Sequence, residues 1–492
     1  MGLRSRLDAL FKGPDDFDLT SGGIGKPLFF LAMPIVVTNL FQTAYNLADT
    51  FWLGQYSTDA LAAISFAFPM VFLLISFGTG ISVAGSVLVA QFTGADEDRE
   101  AEYAASQTVT FAAIISVVLG VVGYFLVEQF LSLMGASQDV LPLASSYMEV
   151  ISLGLLFMFG FFVFIALMRG YGDTITPMLV MFGSVVLNII IDPFLIFGWT
   201  VVESAPLVGT ISFPELGIAG AAVATVFSRG VALVVGLAIM FRGDRGVQIH
   251  LRDMAPDLSY LRRLVRIGLP ASVEGMGRAL SMNLLLFVVA TFSDPVVSAY
   301  GIGTRVFSVI VLPAIAIARG VETMTGQNVG AGKSDRAEAA ANLAAKVLFG
   351  VLTLAGVAVF LAPEPIISVF VGAGQENADR VVEVGAQFLR YVALTFGFIG
   401  VTRAYTGSFR GAGRTLTAAA ISVAMLGVVR FPIAWFAAGP LGETGIWISF
   451  AVSNVVGAVI AVLWYRRGTW KGTELTEENV EPAVAESTAG DD

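Results

Sequence analysis

The sequence predicts an all-α integral membrane protein: twelve transmembrane helices in two six-helix lobes, related by a parallel pseudo-two-fold repeat. Three observations predict this fold. The 492-residue chain is 56% hydrophobic and only 13% charged, whereas soluble domains carry about 25% charged residues. Apolar stretches recur at membrane-spanning length, and the second half of the chain repeats motifs of the first. The composition excludes cytosolic and secreted globular enzymes.

Twelve apolar stretches are long enough to cross a hydrocarbon core about 30 Å thick. None shows the strict alternation of barrel strands, so the spans are predicted to be helices. In chain order, the predicted spans are 27–49, 60–92, 103–127, 141–168, 175–198, 216–241, 265–292, 296–320, 340–362, 384–408, 415–437 and 444–465.

Matching motifs indicate an internal duplication. The matched pairs are Pro34 with Pro270, QFTGA (91–95) with QNVGA (327–331) and RGYGDT (169–174) with RGAGRT (410–415), at offsets of 236, 236 and 241 positions. Each half holds an even number of spans, so both halves begin on the same side and the repeat is parallel. Two such lobes around a central cleft are typical of transporters that expose the cleft to each side in turn.

Lysine and arginine concentrate before the first span, between spans 6 and 7, and after spans 4, 8, 10 and 12. The positive-inside rule therefore predicts a multi-pass plasma-membrane protein with both termini cytoplasmic. Seven acidic residues and no basic one follow Lys471, which predicts a disordered tail. The predicted segments are a cytoplasmic N-terminal segment (1–26), an N-terminal lobe (27–241), a cytoplasmic linker (242–264), a C-terminal lobe (265–467) and the acidic tail (468–492).

The residue inventory excludes most catalytic and metal chemistry. The chain has no cysteine and a single histidine, His250, which excludes thiolate nucleophiles and zinc sites built from several histidines. No nucleophile–base arrangement predicts an enzyme, and no filter motif predicts a channel. We expect a monomer whose partners are small organic substrates and membrane lipids, without nucleic acid and without a cofactor beyond a coupling ion.

Charged residues inside the predicted spans are distributed unevenly between the halves. A charge near the bilayer centre costs at least about 2.5–3.5 kcal/mol, so it usually faces a cavity or a partner. The first half holds Asp49, Glu149, Asp192 and Arg229; the second holds Glu274, Arg278, Arg305, Arg319, Arg390, Arg403 and Arg430. This asymmetry predicts a cation or proton site in the first lobe. We expect Arg319 and Arg403, near span ends, to extend toward the interface, and Glu274 and Arg278, one turn apart, to neutralise each other.

The first-lobe polar residues are predicted to converge in one pocket in the outer half of the membrane. Asn188 and Asp192 share a helix face, as do Gln42, Asn46 and Asp49. Such a pocket would bind Na⁺ through oxygen ligands or hold a proton between two carboxyl groups. The predicted coupling residues are Asp49, Asp192, Asn188, Tyr147 and Thr225, with Na⁺ at Asp49, Asn188, Asp192 and Thr225. Three of these residues have alternative roles: Asp49 as a helix-end residue, Tyr147 as an interfacial aromatic, and Thr225 as a packing residue.

Five segments resemble the multidrug and toxic compound extrusion (MATE) transporters, and the similarity covers essentially the whole chain. They are MPIVVTNLFQTAYNLADTFWLG (33–54), QFTGA (91–95), RGYGDT (169–174), LNIIIDPFLIFG (187–198) and GIAGAAVAT (217–225). Within the family they resemble the archaeal, DNA-damage-inducible-F-like branch most. The resemblance implies a secondary active antiporter that exports organic, often cationic or amphipathic compounds in exchange for H⁺ or Na⁺.

When the family's functional residues are transferred to matching positions of this sequence, the resemblance implies that Asp49 and Asp192 are the family's carboxylates on spans 1 and 5. It also places Gln42 and Asn46 in the first-lobe substrate cavity. Pro34 becomes the helix bend that responds to protonation, and a proline inside a helix removes a backbone hydrogen bond and favours a kink. The chain departs from the family pattern at Ile165, where an asparagine is expected, so one polar partner of the network is missing.

The alternative function is a flippase for lipid-linked saccharides or polyprenyl lipids, which has a related helical plan. A flippase would line its cleft with cations. Arg278, Arg305 and Arg430 converging on the cavity would favour it, whereas pairing of these arginines, or their placement in loops, would favour drug export. In the second lobe, Gly427 and Arg430 lie near the positions that correspond to Asn188 and Asp192 of the first lobe. The acid and the amide are therefore not repeated, and we expect a single ion site.

Overall fold

The structure is a computed structural model that describes residues 18–135, 137–205, 209–371 and 377–471. Most of the predicted acidic tail and the first part of the predicted N-terminal segment lie outside these residues. The helices of the first lobe are α1 (Gly25–Tyr56), α2 (Thr58–Gly94), α3 (Asp98–Leu133), α4 (Leu141–Leu153), α5 (Leu155–Tyr171), α6 (Ile175–Phe197) and α7 (Ile218–Arg242). A short antiparallel hairpin, β1 (Thr200–Ala205) with β2 (Gly209–Ser212), joins α6 to α7.

The second lobe repeats this order. Its helices are α8 (Leu258–Val289), α9 (Asp294–Gly330), α10 (Ser334–Leu361), the short α11 (Pro363–Ser368), α12 (Ala378–Ala393), α13 (Phe396–Gly411), α14 (Thr415–Val423), α15 (Phe431–Leu441) and α16 (Glu443–Arg466). A π-helical segment, Ala424–Arg430, joins α14 to α15. The linker between the lobes contains a 3₁₀ turn, Leu251–Asp253, and ends where α8 begins.

The predicted membrane fold is confirmed. In the described part of the chain, ten helical spans are long and apolar enough to cross a membrane, and two bent helix pairs bring the number to twelve. The bent pairs are α4 with α5, at 55°, and α12 with α13, at 52°. They correspond to predicted spans 4 and 10, so even the bend is repeated between the lobes.

The repeated Arg-Gly-x-Gly motif forms the same turn in both lobes. Gly172 follows α5 with φ of 110°, and Gly413 follows α13 with φ of 74°. These backbone conformations favour glycine because they would place a Cβ atom in steric conflict. Both motifs therefore end a bent span with a left-handed glycine. α1 runs as one continuous helix through Pro34, and the bend predicted there stays a prediction.

The lobes touch where the repeated Gln-x-x-Gly motifs cross. A Cβ atom on Gly94 would collide with the carbonyl oxygen of Gln327, and one on Gly330 would collide with the carbonyl oxygen of Gln91. The Gln91 amide also donates to the carbonyl of Gly411 at 3.0 Å. The Gln327 amide in turn donates to the carbonyl of Gly170 in the first lobe at 3.1 Å. Each lobe thus contributes one glutamine side chain to the other, and the absence of a side chain at the two glycines allows the backbones to approach. This crossing lies at the ends of α2 and α9, where α1 and α8 begin.

The linker is fastened to the first lobe by charge and by backbone contacts. Arg99, at the start of α3, donates two hydrogen bonds of 2.5 Å to the carboxylate of Asp253. The Gln107 side chain donates to the carbonyls of Asp253, at 2.6 Å, and Ala255, at 2.7 Å. The paired guanidinium holds the pKa of Asp253 below its ordinary value.

We expect Asp253→Asn to lower the free energy of unfolding by about 0.5–1 kcal/mol at neutral pH, because Arg99 is half exposed and water weakens such pairs. A depressed carboxyl pKa stabilises the fold above the ordinary value of about 4 and loses this contribution as the pH falls through the folded value. Thermal unfolding of both proteins across this pH range measures the difference, which should vanish in acid. The matched control is Asp244→Asn, an exposed linker aspartate; an equal loss in both variants would contradict the assignment.

Candidate functional site

Two carboxyl groups meet in the interior of the first lobe. Asp49 lies on α1 and Asp192 lies on α6, and their side chains are in hydrogen-bonding contact. Both are buried: Asp49 is 6% exposed and Asp192 is not exposed. Two buried carboxyl groups in contact need a shared proton or a bound cation, because two ionised carboxylates would repel each other in a medium of low dielectric constant.

Three buried oxygen atoms of the acid pair and its neighbour Asn188 receive no hydrogen bond. The Asn188 side chain donates to Asp192 Oδ1 at 3.1 Å, as their spacing of one helical turn predicts. Among the described residues, no hydrogen-bond donor reaches Asp49 Oδ1, Asp192 Oδ2 or Asn188 Oδ1. Buried acceptors are usually satisfied, and these three unsatisfied oxygens are atoms that can accept a proton or coordinate a small cation.

Tyr45 is a member of this network that the sequence analysis missed. It is buried on α1 one turn before Asp49, its side chain hydrogen-bonds to that carboxyl group, and its hydroxyl contacts the hydroxyl of Thr225. The sequence analysis instead aligned Asn46 with Asp49, but Asn46 is exposed. The spacing of four between Tyr45 and Asp49 was the available signal, and the same periodicity rule would have found it.

A buried arginine, Arg229, lies beside the acid pair. It donates to Gln42 Oε1 at 2.8 Å and to Met181 Sδ at 2.9 Å, and its guanidinium lies 4.9 Å from the centre of the Tyr45 ring. Its charge also acts electrostatically on Asp49. The sequence analysis counted Arg229 as an embedded base but did not place it in the site. When neither carboxylate holds a proton, the positive charge of Arg229 offsets part of the negative charge of the site.

Of the remaining first-lobe candidates, Tyr147 lies near the acid pair, whereas Gln42, Asn46 and Pro34 lie elsewhere on α1. Tyr147 is buried and interacts electrostatically with both carboxyl groups, so it lies in the interior rather than in an interfacial belt. Gln42 lines a cavity of about 270 Å³, here called the first-lobe cavity, together with Ile165, Arg169 and others. Gln42 donates to Asn46 at 3.0 Å, but Asn46 is not among the residues that line this cavity. Pro34 lies nearer the start of α1 and is not among the residues that line this cavity.

Arginines of the second lobe gather around two further cavities. The second-lobe cavity, about 260 Å³, is lined by Arg278, Arg403, Arg430 and mainly apolar residues. The interlobe cavity, about 250 Å³, adjoins it and is lined by residues of α2, α8, α9 and α13, including Arg278, Arg319 and Arg403. Ile315 lines all three cavities, so they lie next to one another.

One expectation for the arginines was wrong, one was right, and one criterion gave a divided result. Arg319 and Arg403 do not simply extend to the membrane interface, because both line the interlobe cavity. Of the three arginines that were to distinguish export from flipping, Arg278 and Arg430 line the second-lobe cavity, whereas Arg305 is exposed and lines none of these three. The predicted contact between Arg278 and Glu274 is present at 3.1 Å.

Comparison with known proteins gives the family. The MatE family model matches residues 34–194 and 270–436, one match in each lobe. The "Probable multidrug resistance protein YpnP" of Bacillus subtilis is 28% identical, over 94% of this chain and 99% of its own length. A protein of Shewanella oneidensis named "FAD transporter" is 26% identical, over 90% of this chain and 94% of its own.

The fold agrees with solved structures. A crystal structure of a MATE protein in complex with MaL6 superimposes with a TM-score of 0.83 at 25% identity, covering 92% of this chain and 97% of the other. The family model matches both halves of the chain, and the relatives align over nearly their whole length. The chain therefore belongs to the MatE (MATE) family of multi-pass membrane transporters.

Proposed function

We propose that this transporter is a secondary active antiporter that exports organic compounds in exchange for H⁺ or Na⁺. The observation that carries the proposal is the buried contact between Asp49 and Asp192, with unsatisfied oxygens around it. The contact favours H⁺, since a shared proton removes the repulsion between the carboxylates. Na⁺ is the alternative occupant, with Asp49, Asn188, Asp192 and Thr225 as ligands. Tyr147 completes the surroundings of the site.

Alternating access supplies the coupling in this proposal. The lobes are in contact at the crossing of the Gln-x-x-Gly motifs, at the end of the molecule where α1 and α8 begin. The positive-inside pattern assigns this end to the cytoplasm of a plasma-membrane protein with both termini inside. The contact thus closes the cytoplasmic side, and binding of H⁺ or Na⁺ at the acid pair favours its opening. Pro34, on the helix that carries Asp49, is the proposed bend in α1 during this change.

Several finer assignments belong to the same proposal. On the five segments that resemble the family, we propose that the chain belongs to the archaeal, DNA-damage-inducible-F-like branch. We further propose that it acts as a monomer among membrane lipids, with segment boundaries near 27–241 and 265–467 for the two lobes. Gln42 faces substrate in the first-lobe cavity, and Asn46 supports Gln42. The names of the relatives support export of several compounds.

Transport by reconstituted vesicles tests this function. Vesicles holding the purified protein receive either an H⁺ gradient or a Na⁺ gradient, and uptake of two dyes, fluorescein and rhodamine methyl ester, is measured after lysis at a common pH. We expect one gradient to drive uptake of at least one dye above that of protein-free vesicles. Equal uptake with and without protein under both gradients would contradict the proposal.

A lipid-linked saccharide flippase is the second candidate, and the arginines that line the second-lobe cavity favour it over a channel or an enzyme. A flippase moves lipid between leaflets, so a fluorescent polyprenyl phosphate in the same vesicles distinguishes the two functions. Protein-dependent movement of this lipid without any gradient, combined with no dye transport, would assign the flippase function instead.

A further inference from the structure

The second-lobe cavity combines basic and apolar surfaces. Its three charged residues are Arg278, Arg403 and Arg430, and in the described part of the chain no acidic residue lines it. Its apolar lining includes Leu285, Phe307, Met425, Leu426 and Phe450. The three guanidinium groups would repel a cation that entered this cavity and would attract an anion.

Arg430 is a buried charge held only by neutral groups. Its Nε atom donates to Ser453 Oγ at 2.8 Å, its Nη2 atom donates to Asn454 Oδ1 at 2.7 Å, and its guanidinium lies 4.3 Å from the centre of the Phe450 ring. Among the described residues, no acceptor lies on Nη1, and no carboxylate pairs with this arginine. An uncompensated charge is costly in an apolar interior, so a ligand that supplies the negative charge would be stabilised.

Arg403, unlike Arg430, has a guanidinium group that is not hydrogen-bonded to any described residue. This arginine is half-buried, it lines both the second-lobe and the interlobe cavities, and its guanidinium group makes no hydrogen bond or ion pair with any described residue. Arg278, Glu274 and Arg410 lie close enough to act on its charge electrostatically. Its fork of donors therefore remains available to a ligand.

The acidic residues near these cavities are already paired. Glu274 accepts from Arg410 at 2.9 Å and from Arg278 at 3.1 Å. Glu322 accepts from Arg319 at 2.9 Å and from Arg410 at 3.3 Å. Two carboxylates thus neutralise part of a larger set of arginines: Arg169, Arg278, Arg319, Arg403, Arg410 and Arg430. Taken together, the three cavities retain an excess of positive charge.

We propose that the second-lobe cavity binds an amphipathic organic anion, with a carboxylate, sulfonate or phosphate group at Arg403 and Arg430 and an apolar or aromatic body against Phe307 and Phe450. The inference rests on the proposed transport function and names its substrate class. Guanidinium groups bind such oxyanions through paired hydrogen bonds. The class differs from the cations that the family resemblance implies, because the charge of this cavity is opposite to that of the first-lobe acid pair.

Two dyes on one ring system test the sign of the charge. Fluorescein is an anion at neutral pH, and rhodamine methyl ester is a cation built on the same xanthene ring. We expect the detergent-solubilised protein to raise the fluorescence anisotropy of fluorescein at lower protein concentration than that of the rhodamine ester. Tighter binding of the rhodamine ester would overturn the proposal. The assay uses no ion gradient, so its failure would leave the coupling proposal standing.

Substitutions of the cavity arginines test where the anionic group of the ligand binds. Arg403→Gln removes a side chain with no protein partner among the described residues, so it should leave folding intact while weakening fluorescein binding about ten-fold or more, the effect of losing a charge-assisted hydrogen bond. Arg430→Gln should weaken it similarly, and Arg430→Lys should restore part of the loss. The matched control is Arg305→Gln, an exposed arginine of the same lobe outside the three cavities. Unchanged binding in Arg403→Gln and in the folded Arg430→Gln would overturn the proposal.

A third measurement identifies the source of the anionic group, since soluble organic anions and anionic lipid headgroups share this chemistry. Fluorescein bound to the wild-type protein is challenged with benzoate, with phosphatidylglycerol and with phosphatidylcholine. Displacement by benzoate assigns a soluble anion, and displacement by phosphatidylglycerol but not by phosphatidylcholine assigns a lipid headgroup; either result supports an anion site. Equal displacement by both lipids, with none by benzoate, would show an apolar site without charge preference and would contradict the proposal.

Discussion

Asp49→Asn and Asp192→Asn should each abolish gradient-driven transport while leaving the protein folded. Each substitution keeps the shape of the side chain and removes its ability to ionise, so the pair can no longer alternate between charged and neutralised states. A folded transporter without this alternation can still bind substrate, but it cannot couple the ion gradient to movement. The measurement is dye uptake by reconstituted vesicles under the gradient that drives the wild-type protein.

The control for these variants is Asp59→Asn. Asp59 lies in the first turn of α2 and is exposed to solvent, close in sequence to Asp49 but outside the acid pair. We expect its transport to match that of the wild-type protein. Full transport by either Asp49→Asn or Asp192→Asn would remove that residue from the coupling mechanism.

Gly330→Ala and Gly94→Ala should loosen the contact between the lobes at the predicted cytoplasmic end. The added methyl group at Gly330 would collide with the carbonyl oxygen of Gln91, and that at Gly94 with the carbonyl oxygen of Gln327. Backbone atoms cannot move aside as a flexible side chain can, so overpacking of this kind costs about 1–3 kcal/mol. Because the cost falls on the closed arrangement alone, the equilibrium should shift toward opening by about 5–150-fold.

Cysteine labelling measures this shift, since the chain contains no cysteine of its own. Ala90→Cys places one thiol on α2, at a buried position beside Gly326 of the other lobe. We expect a maleimide to label it faster when Gly330→Ala is also present. Gly350→Ala is the matched control, because a Cβ atom there meets nothing within 4 Å. Equal labelling rates in the Gly330→Ala and Gly350→Ala backgrounds would contradict the role assigned to the crossing.

Helical periodicity and the cost of embedded charge were sufficient to predict the core of the site. Asn188 and Asp192 share one face of α6 because they lie four residues apart, and two carboxylates in apolar spans favoured a meeting in the interior. Tyr45 was missed because the polar face of α1 was drawn through Gln42, Asn46 and Asp49, although Tyr45 lies four residues before Asp49. Arg229 was noticed for its charge, but its position over the Tyr45 ring depends on how α7 packs against α1, which one helix cannot reveal.

The second-lobe arginines show where reasoning from single helices fails. Arg319 and Arg403 lie near the ends of their predicted spans, and an isolated helix at that depth would extend them to the interface. The helices continue beyond those predicted ends, and the interlobe cavity offers both arginines a nearer polar space. Similarly, the Gln-x-x-Gly motifs were recognised as a repeat, but their role required two backbones to cross at the glycines. These features depend on helix packing, and the sequence pattern contains no direct signal of it.

The most direct test of the coupling mechanism is the distance between the lobes at the predicted cytoplasmic end, measured by electron–electron double resonance as the pH is lowered. Spin labels on Asp98→Cys and Asp335→Cys, exposed positions at the starts of α3 and α10, report this distance. Protonation of the acid pair should lengthen it in the wild-type background and leave it insensitive to pH when Asp49→Asn and Asp192→Asn are both present. The same pH-dependent change in both backgrounds would show that these carboxyl groups do not control which way the lobes open.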